Sequence, residues 1–253
     1  MADLTPERLR EAADTMAQLV LLRLRMRQLH PGDTVTAPYY QDDQVTLYHG
    51  DCLEIREWLA ADVLVTDPPY GMAFQSGQRA EAHAPIAGDK DTRVRDGVVT
   101  LWGTGPAAIF GTWRVPRPDG VKQVLVWDKR GAGPGMGDLS LAFGSSHEEV
   151  YLLGRWERRT TRRGSVITTE SSPSELTSRI GHPTPKPVGL METLIAAAPD
   201  GTVADPFAGS GSTLVAARNL GRKAIGVELE ERYCEIIAKR LDQMCLDFEE
   251  GAS

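Results

Sequence analysis

The tetrapeptide Asp67-Pro68-Pro69-Tyr70 is the segment of this 253-residue chain best suited to chemistry. It follows the apolar run 62–66, which is typical of a buried strand. The two prolines stiffen the turn, so a carboxylate, a backbone carbonyl and an aromatic ring leave the strand in fixed positions. Ligands in open α/β sheets bind outside the carboxyl ends of strands, which makes this turn a candidate catalytic site. The alternative is a rigid structural turn with Tyr70 packed against the core.

A second candidate site is the segment 205–213, with the sequence DPFAGSGST, where a predicted strand becomes a helix. Gly209 and Gly211 allow the backbone to approach a ligand closely, and the N-terminus of the following helix presents unpaired N–H groups. A lone Gly-x-Gly turn is a weak indicator, since many α/β proteins need glycine there for structural reasons. The dinucleotide-binding fingerprint requires a third glycine, and Leu214 occupies that position.

Glu228 ends the next predicted strand, as an acid that binds ribose hydroxyls should. The alternative is a helix-capping role, because Glu230 and Glu231 follow at the predicted start of the last helix.

Short apolar runs that alternate with helical periodicity position these motifs. The predicted strands are 45–48, 62–66, 107–110, 123–127, 149–153, 202–205 and 223–228, and the clearest predicted helices are 190–198, 213–220 and 231–244. This alternation predicts an α/β, Rossmann-like fold with a doubly wound, mostly parallel sheet. The sequence divides into an N-terminal helical segment over 1–30 and a domain over 31–253. Pro6 is predicted to occupy the first helical position of that segment.

Two stretches lack the periodicity of the remainder. Residues 71–100 are predicted to form a mobile loop, and residues 154–181 a small recognition insert. The insert begins with five arginines, namely Arg155, Arg158, Arg159, Arg162 and Arg163. In a chain of net charge −7 they form a local positive patch that would neutralise nucleic-acid phosphates. The alternative is an ordinary solvated face.

In combination, these motifs resemble the amino-methylating DNA methyltransferases that use S-adenosylmethionine. The family's catalytic tetrapeptide, (Asp/Asn/Ser)-Pro-Pro-(Tyr/Phe/Trp), matches residues 67–70, and its cofactor loop, Asp-Pro-Phe-x-Gly-x-Gly-Thr, matches 205–213. Its His-Pro-Thr-x-Lys-Pro element matches 182–187, and its segment before the catalytic motif matches 50–54. Because the catalytic motif precedes the cofactor loop, the chain is similar to the circularly permuted class often called beta.

The resemblance implies a set of residues that bind S-adenosylmethionine. By the family's pattern, Glu228 binds the ribose, Asp51 lies near the adenine of the cofactor, and Thr184 and Lys186 approach its methionine carboxylate. The residues of the cofactor loop that the pattern assigns to this site are Asp205, Phe207, Gly209 and Gly211.

The resemblance also implies a mechanism on double-stranded DNA. An exocyclic base amine is a poor nucleophile, because its lone pair is delocalised into the ring. Asp67 and the Pro68 carbonyl accept hydrogen bonds from that amine, and Tyr70 offers a ring for the flipped base. The family pairs Asp at the first position most often with adenine and Ser with cytosine. We therefore expect methylation at N6 of adenine, with N4 of cytosine as the main alternative.

Other functions fit parts of the sequence. A methyltransferase acting on RNA or on a protein amide shares the tetrapeptide, but the motif order favours DNA. A nucleotide-binding oxidoreductase requires a third glycine or a hydride-accepting site. A non-catalytic DNA-binding module is disfavoured by the intact tetrapeptide. A homodimer and a restriction endonuclease partner are both left open.

The composition excludes several other classes of site and of protein. The three widely spaced cysteines disfavour a disulfide framework and a cysteine-ligated zinc site. None of them follows proline, which disfavours methylation at C5 of cytosine. The five histidines lack a metal-binding spacing, so we predict no metal. Arginines interrupt the longest apolar run, and we expect a cytoplasmic protein, prokaryotic or phage-encoded, without a membrane span.

Overall fold

The computed structural model describes residues 36–71, 91–129, 140, 142–156, 163–169 and 185–250, with side chains in the last helix described up to Gln243. The predicted N-terminal helix over 1–30 lies outside these residues.

The described strands form one sheet. They are β1 (Tyr40–Gln41), β2 (Val45–His49), β3 (Val63–Thr66), β4 (Ala107–Gly111), β5 (Gln123–Asp128), β6 (His147–Leu153), β7 (Val166–Thr168), β8 (Val203–Asp205) and β9 (Ala224–Glu228). Their order across the sheet is β1-β2-β9-β8-β3-β4-β6-β5-β7. β1 and β6 run antiparallel to their neighbours, and the remaining strands are parallel to one another.

Helices connect the strands. They are a 3₁₀ helix (Glu57–Ala60), α1 (Arg93–Trp102), α2 (Val188–Ala197), α3 (Ser212–Asn219) and α4 (Glu231–Glu250). Among the described helices, none is long and apolar enough to cross a membrane.

Both faces of the sheet are covered, as the doubly wound prediction requires. Val63 and Val65 of β3 pack in the core formed with α2, α3 and α4, whereas Leu64 between them packs in the core on the other face. In that second core, Trp58 and Trp102 stack with their ring centroids 6.0 Å apart. Because strand side chains alternate between faces, a strand that is apolar throughout needs two cores. Burial of each large side chain stabilises the fold by about 1.5–3 kcal/mol.

The structure corrects the predicted loop over 71–100. Residues 72–90 lie outside the described part, but Arg93–Trp102 form α1. Gly97 and several β-branched residues give this segment low helix propensity, which conceals the helix from a reading of the sequence. Val98 and Trp102, one turn apart, are both buried in the second core, and this packing stabilises the helix. The short strands β1 and β7 also went unpredicted.

The parallel strands end at one edge of the sheet, which we call the carboxyl edge. Thr66 of β3, Asp205 of β8 and Glu228 of β9 are the last residues of their strands there. Because β6 is antiparallel, its first residue lies at this edge, and His147 pairs with Asp128 at the end of β5. Five strands, β3, β5, β6, β8 and β9, therefore bring residues together where the sequence motifs lie.

Candidate active site

The Asp67 carboxylate directly follows β3 at the carboxyl edge, and both of its oxygens have partners. Oδ1 accepts a hydrogen bond from the Tyr70 hydroxyl at 2.7 Å, and Oδ2 is paired with the Lys186 ammonium group. The Asp67 side chain keeps 22% of its surface exposed, so a ligand can still reach it.

A second carboxylate, that of Glu148, lies within reach of the same two donors, the Tyr70 hydroxyl and the Lys186 ammonium group. Glu148 Oε2 lies 3.2 Å from the Tyr70 hydroxyl and 3.2 Å from Lys186 Nζ, and Oε1 is paired with Lys129. Asp67, Tyr70, Lys129, Glu148 and Lys186 form what we call the charge cluster, which holds two carboxylates, two ammonium groups and one phenol. Its members come from the ends of β3 and β5, the start of β6 and the segment before α2.

Burial and pairing decide the protonation states of the cluster. Burial raises the pKa of Asp67 above its usual range, and the Lys186 charge only partly opposes this. Burial also acts to raise the pKa of Glu148, but Lys186 and Lys129 outweigh it and hold that pKa below the usual range. Burial and both carboxylates raise the pKa of Tyr70, so the phenol keeps its proton. Of the two carboxylates, Asp67 is therefore the one whose pKa lies above its usual range.

Lys186 lies in a pocket of two aromatic rings. Its ammonium group is 5.1 Å from the ring centroid of Phe110 and 5.8 Å from that of Tyr70, distances at which ring quadrupoles attract cations. The side chain is 7% exposed. Although burial disfavours its charge, Asp67 and Glu148 raise the pKa of Lys186 above the usual range. The structure thus joins Lys186 to the catalytic tetrapeptide, while its predicted contact with the cofactor carboxylate stays a prediction.

The glycine loop after β8 has a left-handed backbone at both of its glycines. Gly209 has φ +52° and Gly211 has φ +78°, and a Cβ atom at Gly211 would lie 2.9 Å from Ile237 Cγ1. Asp205 Oδ1 accepts the Thr66 hydroxyl at 2.6 Å and the Phe207 N–H at 3.1 Å. Because Thr66 immediately precedes the catalytic tetrapeptide, this bond fixes the loop relative to the catalytic turn. Burial raises the pKa of Asp205 to about 6.

Glu228 connects the glycine loop to the start of α4. Its Oε2 accepts the Gly209 N–H at 2.7 Å, and its Oε1 accepts the Glu230 N–H at 2.8 Å. The second bond closes the turn before α4, which begins at Glu231, and the helix-capping and ribose-binding roles both stay predictions. Burial raises the pKa of Glu228 to about 7.

Asp51 lies beside Glu228 at the carboxyl edge. The Gly50 N–H donates to the Glu228 carbonyl oxygen at 2.9 Å, which joins the ends of β2 and β9. The Asp51 side chain is exposed, and it accepts the Leu53 N–H at 2.8 Å. Asp51, Glu228 and the glycine loop therefore share one edge, as the resemblance requires, whereas Thr184 lies outside the described residues.

The comparison with known proteins identifies the family. The sequence profile of the DNA methylase family N6_N4_Mtase matches residues 61–239, which include the catalytic tetrapeptide and the glycine loop. The chain belongs to this DNA methylase family.

Individual relatives of this methylase agree with that assignment. It is 27% identical to the type II methyltransferase M2.LlaDCHI of Lactococcus lactis subsp. cremoris, over 84% of this chain and 94% of the relative. Its fold resembles that of M1.HpyAVI in complex with SAM, with TM-score 0.58 and 25% identity over 78% of this chain and 98% of the other. Its fold, and the fold alone, also resembles that of the cytosine-N4-specific PvuII methyltransferase, with TM-score 0.56 and 18% identity over 79% of this chain and 87% of the other.

The two described arginines of the predicted DNA-binding run lie away from Asp67 and the residues that contact it. Arg155 follows the end of β6, where Leu153 pairs with Ala107, the first residue of β4. Arg163 precedes β7, which is parallel to β5. Both exposed side chains thus belong to the edge opposite the carboxyl edge, about 17 Å away for a five-residue strand. The other three arginines, Arg158, Arg159 and Arg162, lie outside the described residues, and the prediction for the run is untested.

The carboxyl edge carries other exposed groups that the sequence did not single out. Trp113, two residues after β4, is 63% exposed, and the Arg114 guanidinium group lies 5.5 Å from the Trp113 ring centroid. Phe143, shortly before β6, is 90% exposed. Exposed aromatic rings beside a guanidinium group are typical of surfaces that contact nucleic acid.

Glu148 and Lys129 were also missed as members of the site. Lys129 follows the predicted strand 123–127, so a parallel arrangement would have placed it at the carboxyl edge. Glu148 immediately precedes the predicted strand 149–153, and its place at this edge depends on β6 being antiparallel. The only sequence signal was an acidic pair, Glu148 and Glu149, at the start of an apolar strand.

The cysteines described in this methylase are unsuited to nucleophilic catalysis. Cys52 and Cys234 are buried, and burial raises the pKa of each thiol to about 12. Because the thiolate is the reactive form, neither residue can supply the nucleophile that C5 methylation needs.

Proposed function

We propose that this protein transfers a methyl group from S-adenosylmethionine to the N6 amine of adenine in double-stranded DNA. The observation that carries the proposal is the position of the Asp67 carboxylate, which is accessible at the carboxyl edge and tied to the glycine loop through the Thr66–Asp205 hydrogen bond. A hydrogen-bond acceptor for an amine and a loop suited to a nucleoside cofactor therefore lie on neighbouring strands.

The cofactor is S-adenosylmethionine, which supplies an electrophilic methyl group on a sulfonium when it is bound. The residues that would hold it fit a nucleoside. Glu228 directs a buried carboxylate to the edge where Gly209 and Gly211 keep the backbone free of Cβ atoms. Asp51 adds an exposed carboxylate shortly after β2, whose last residue pairs with Glu228. M1.HpyAVI, which shares the fold, was solved as its SAM complex.

The catalytic residues act on the amine. Asp67 accepts a hydrogen bond from the target amine, which draws the nitrogen lone pair out of conjugation with the base ring. As the nitrogen gains its methyl group it becomes positively charged, and the nearby carboxylates stabilise that charge until an N–H proton leaves. Asp67, whose pKa burial raises, is well suited to accept this proton. The half-buried Tyr70 ring offers the flipped base an apolar surface.

The choice of adenine rests on Asp67. In the family that the chain resembles, Asp at this position accompanies adenine more often than cytosine. The likeness to the cytosine-N4-specific PvuII enzyme concerns the fold alone, because the two sequences are 18% identical. N4 of cytosine is the alternative substrate atom, and the chemistry of Asp67 serves both amines equally well.

DNA would meet the carboxyl edge, where a flipped base can reach Asp67. We infer that Trp113 and Arg114 contact DNA there, since an exposed ring and a guanidinium group suit stacking and phosphate pairing.

The test uses the purified protein, unmethylated double-stranded DNA and S-adenosylmethionine with an isotopically labelled methyl group. Nucleosides from the digested DNA are then separated and identified by mass spectrometry. We expect labelled N6-methyladenine, and an Asp67→Asn variant should give background only. Labelled N4-methylcytosine alone would replace adenine by cytosine in the proposal. DNA without any label would overturn it.

A further inference from the structure

We propose that Glu148 is a positioning residue that takes over the hydrogen-bond donors of Asp67 when the target amine binds. This inference rests on the proposed function and extends it, because neither the family's motifs nor the sequence pattern assigns Glu148 a role.

The first observation is that Asp67 is already engaged before any substrate arrives. One oxygen accepts the Tyr70 hydroxyl at 2.7 Å and the other is paired with the Lys186 ammonium group. A carboxylate paired with an ammonium group is a weaker acceptor for a third donor, since most of its charge is compensated. The target amine therefore has to compete with Tyr70 and Lys186 for Asp67.

The second observation is that a single atom, Glu148 Oε2, is within reach of both competing donors. It lies 3.2 Å from the Tyr70 hydroxyl and 3.2 Å from Lys186 Nζ. A phenol has one proton and can donate to only one carboxylate at a time, so Tyr70 bonds either Asp67 or Glu148. Small rotations of Tyr70 and Lys186 would move both donors to Glu148 without leaving either of them unpaired in a buried site.

The third observation is the charge balance of the cluster. Asp67 and Glu148 offset the ammonium groups of Lys186 and Lys129, and methyl transfer adds a positive charge on the target nitrogen. Without the Glu148 carboxylate, Asp67 alone would face both ammonium groups and the methylated nitrogen. At short range in a buried site, such an excess of like charge is strongly unfavourable.

Lys129 gives Glu148 a fixed orientation. It binds Oε1, which leaves Oε2 directed toward Tyr70 and Lys186. The Glu148 side chain is 17% exposed and its pKa is held below the usual range by the two lysines, so the carboxylate stays charged and available.

The main test compares wild type with Glu148→Gln in steady-state methylation and in cofactor-binding calorimetry. We expect kcat to fall about 10- to 100-fold, because Lys186 and Tyr70 stay on Asp67, while the dissociation constant of S-adenosylmethionine changes less than about twofold. An unchanged kcat would overturn the proposal, and so would a loss of cofactor binding that accounts for the lower rate.

The pH profile supplies a readout that a purely structural role would not move. Asp67 must be ionised to accept the amine, and the negative charge of Glu148 contributes to its raised pKa, together with burial and against Lys186. Removal of that charge lowers the pKa of Asp67. The acid limb of kcat should therefore shift to lower pH in Glu148→Gln, even though the plateau is lower. An acid limb that stays in place or moves to higher pH would contradict the proposal.

Glu149→Gln is the matched control. Glu149 is the adjacent carboxylate of β6, and it pairs with Arg117 and accepts the Tyr151 hydroxyl instead of contacting the cluster. The same chemical change at this position should leave the acid limb of kcat unchanged. An equal shift in both variants would show that the effect of Glu148→Gln is a general response of β6.

The double variant Glu148→Gln/Lys129→Met tests whether Glu148 accepts hydrogen bonds from Lys186 and Tyr70 or only neutralises the charge of Lys129. If Glu148 only neutralised Lys129, removal of both would restore kcat. We expect the kcat of the double variant to stay about as low as that of Glu148→Gln, since neither variant has a carboxylate at position 148 to pair with Lys186 and Tyr70. Restored activity would overturn the proposal.

If Glu148→Gln does not fold, Glu148→Asp replaces it. The shorter side chain keeps the charge but withdraws it from both donors, so kcat should fall about 3- to 10-fold. Full activity in Glu148→Asp, with a folded and cofactor-binding protein, would overturn the proposal. These results are distinct from a failure of the proposed function, in which the wild type itself would methylate no DNA.

Discussion

The carboxyl edge has two halves that are built in different ways. The half that we propose to bind the cofactor contains the glycine loop, Asp205 and Glu228, and the half that we propose to bind the target base contains Asp67 and Glu148. In the cofactor half, buried carboxylates bind mainly backbone N–H groups: Glu228 binds those of Gly209 and Glu230, and Asp205 binds that of Phe207 besides the Thr66 hydroxyl. In the target half, the carboxylates Asp67 and Glu148 bind side chains from distant segments. Backbone donors fix a shape, whereas side-chain donors can exchange partners. The first half is suited to holding a ligand in place, and the second to changing during a reaction.

The same difference shows in the electrostatics. In the cofactor half, the donors to the carboxylates are uncharged N–H and hydroxyl groups. Burial is therefore the dominant effect on the pKa values, and it raises the pKa of Asp205 to about 6 and that of Glu228 to about 7. In the target half, two ammonium groups hold the pKa of Glu148 down, although burial still raises the pKa of Asp67. Protonation near neutral pH should therefore alter cofactor binding through Glu228, and the two halves should respond to different substitutions.

The largest expected effect is that of Asp67→Ala. Loss of the acceptor for the target amine should reduce methyl transfer at least about 100-fold, while the dissociation constant of S-adenosylmethionine stays nearly unchanged. Single-turnover methylation and calorimetry measure the two quantities. An active variant would show that the catalytic residue lies elsewhere, and a loss of cofactor binding would show that the two halves are not separable.

A second prediction concerns Gly211→Ala in the cofactor half. The residue has φ +78°, which costs a non-glycine residue about 1–2 kcal/mol, and its new Cβ would lie 2.9 Å from Ile237 Cγ1. We expect cofactor affinity to fall about 10-fold or more, with a free energy of unfolding lowered by more than the backbone cost alone. Calorimetry and urea denaturation test both effects.

Gly221→Ala is the control for that substitution. Gly221 has φ +67°, but a Cβ atom there would have no heavy atom within 4 Å. It should lower the free energy of unfolding by about 1–2 kcal/mol and leave cofactor affinity unchanged. Equal cofactor affinities for Gly211→Ala and Gly221→Ala would mean that the crowding at Gly211 is irrelevant to the site.

The third prediction is a pH dependence of nucleoside binding. Glu228 has a folded-state pKa of about 7, so it is protonated below that value and charged above it. A charged carboxylate accepts ribose hydroxyls more strongly, by about 1 kcal/mol, so affinity should increase about three- to tenfold from pH 6 to pH 8. Adenosine is the appropriate ligand, because it has no group that titrates in this range. A Glu228→Gln variant should show a flat profile, and a persisting slope would assign the effect to another group.

The smallest expected effect concerns DNA contacts. If DNA meets the carboxyl edge, Arg114→Ser should reduce the slope of log affinity against log salt concentration by about one unit. Arg155→Ser changes an exposed arginine at the opposite edge and should leave that slope unchanged. A reduced slope for Arg155→Ser and an unchanged slope for Arg114→Ser would instead place the DNA-binding surface at the arginines of the predicted recognition insert, away from Trp113 and Arg114.

The sequence by itself determined most of the cofactor half. Gly209, Gly211 and Glu228 lie in short contiguous segments, and a glycine turn between a strand and a helix creates its geometry locally. The seven predicted strands also correspond to β2–β6, β8 and β9, since uninterrupted apolar runs have few places to lie other than a sheet covered on both faces. The geometry of such local motifs can be predicted from the sequence, because residues that are adjacent along the chain are also adjacent in space.

Only the tertiary structure decided the target half. Glu148 joins Asp67 because β6 runs antiparallel beside β4, and direction is a property of the whole sheet. Lys186 meets Asp67 from 119 residues away along the chain, which no local pattern specifies. The helix Arg93–Trp102 likewise forms through the burial of Val98 and Trp102 against its propensity. Long-range packing sets these positions, because the free energy that fixes them comes from contacts between segments distant in the sequence.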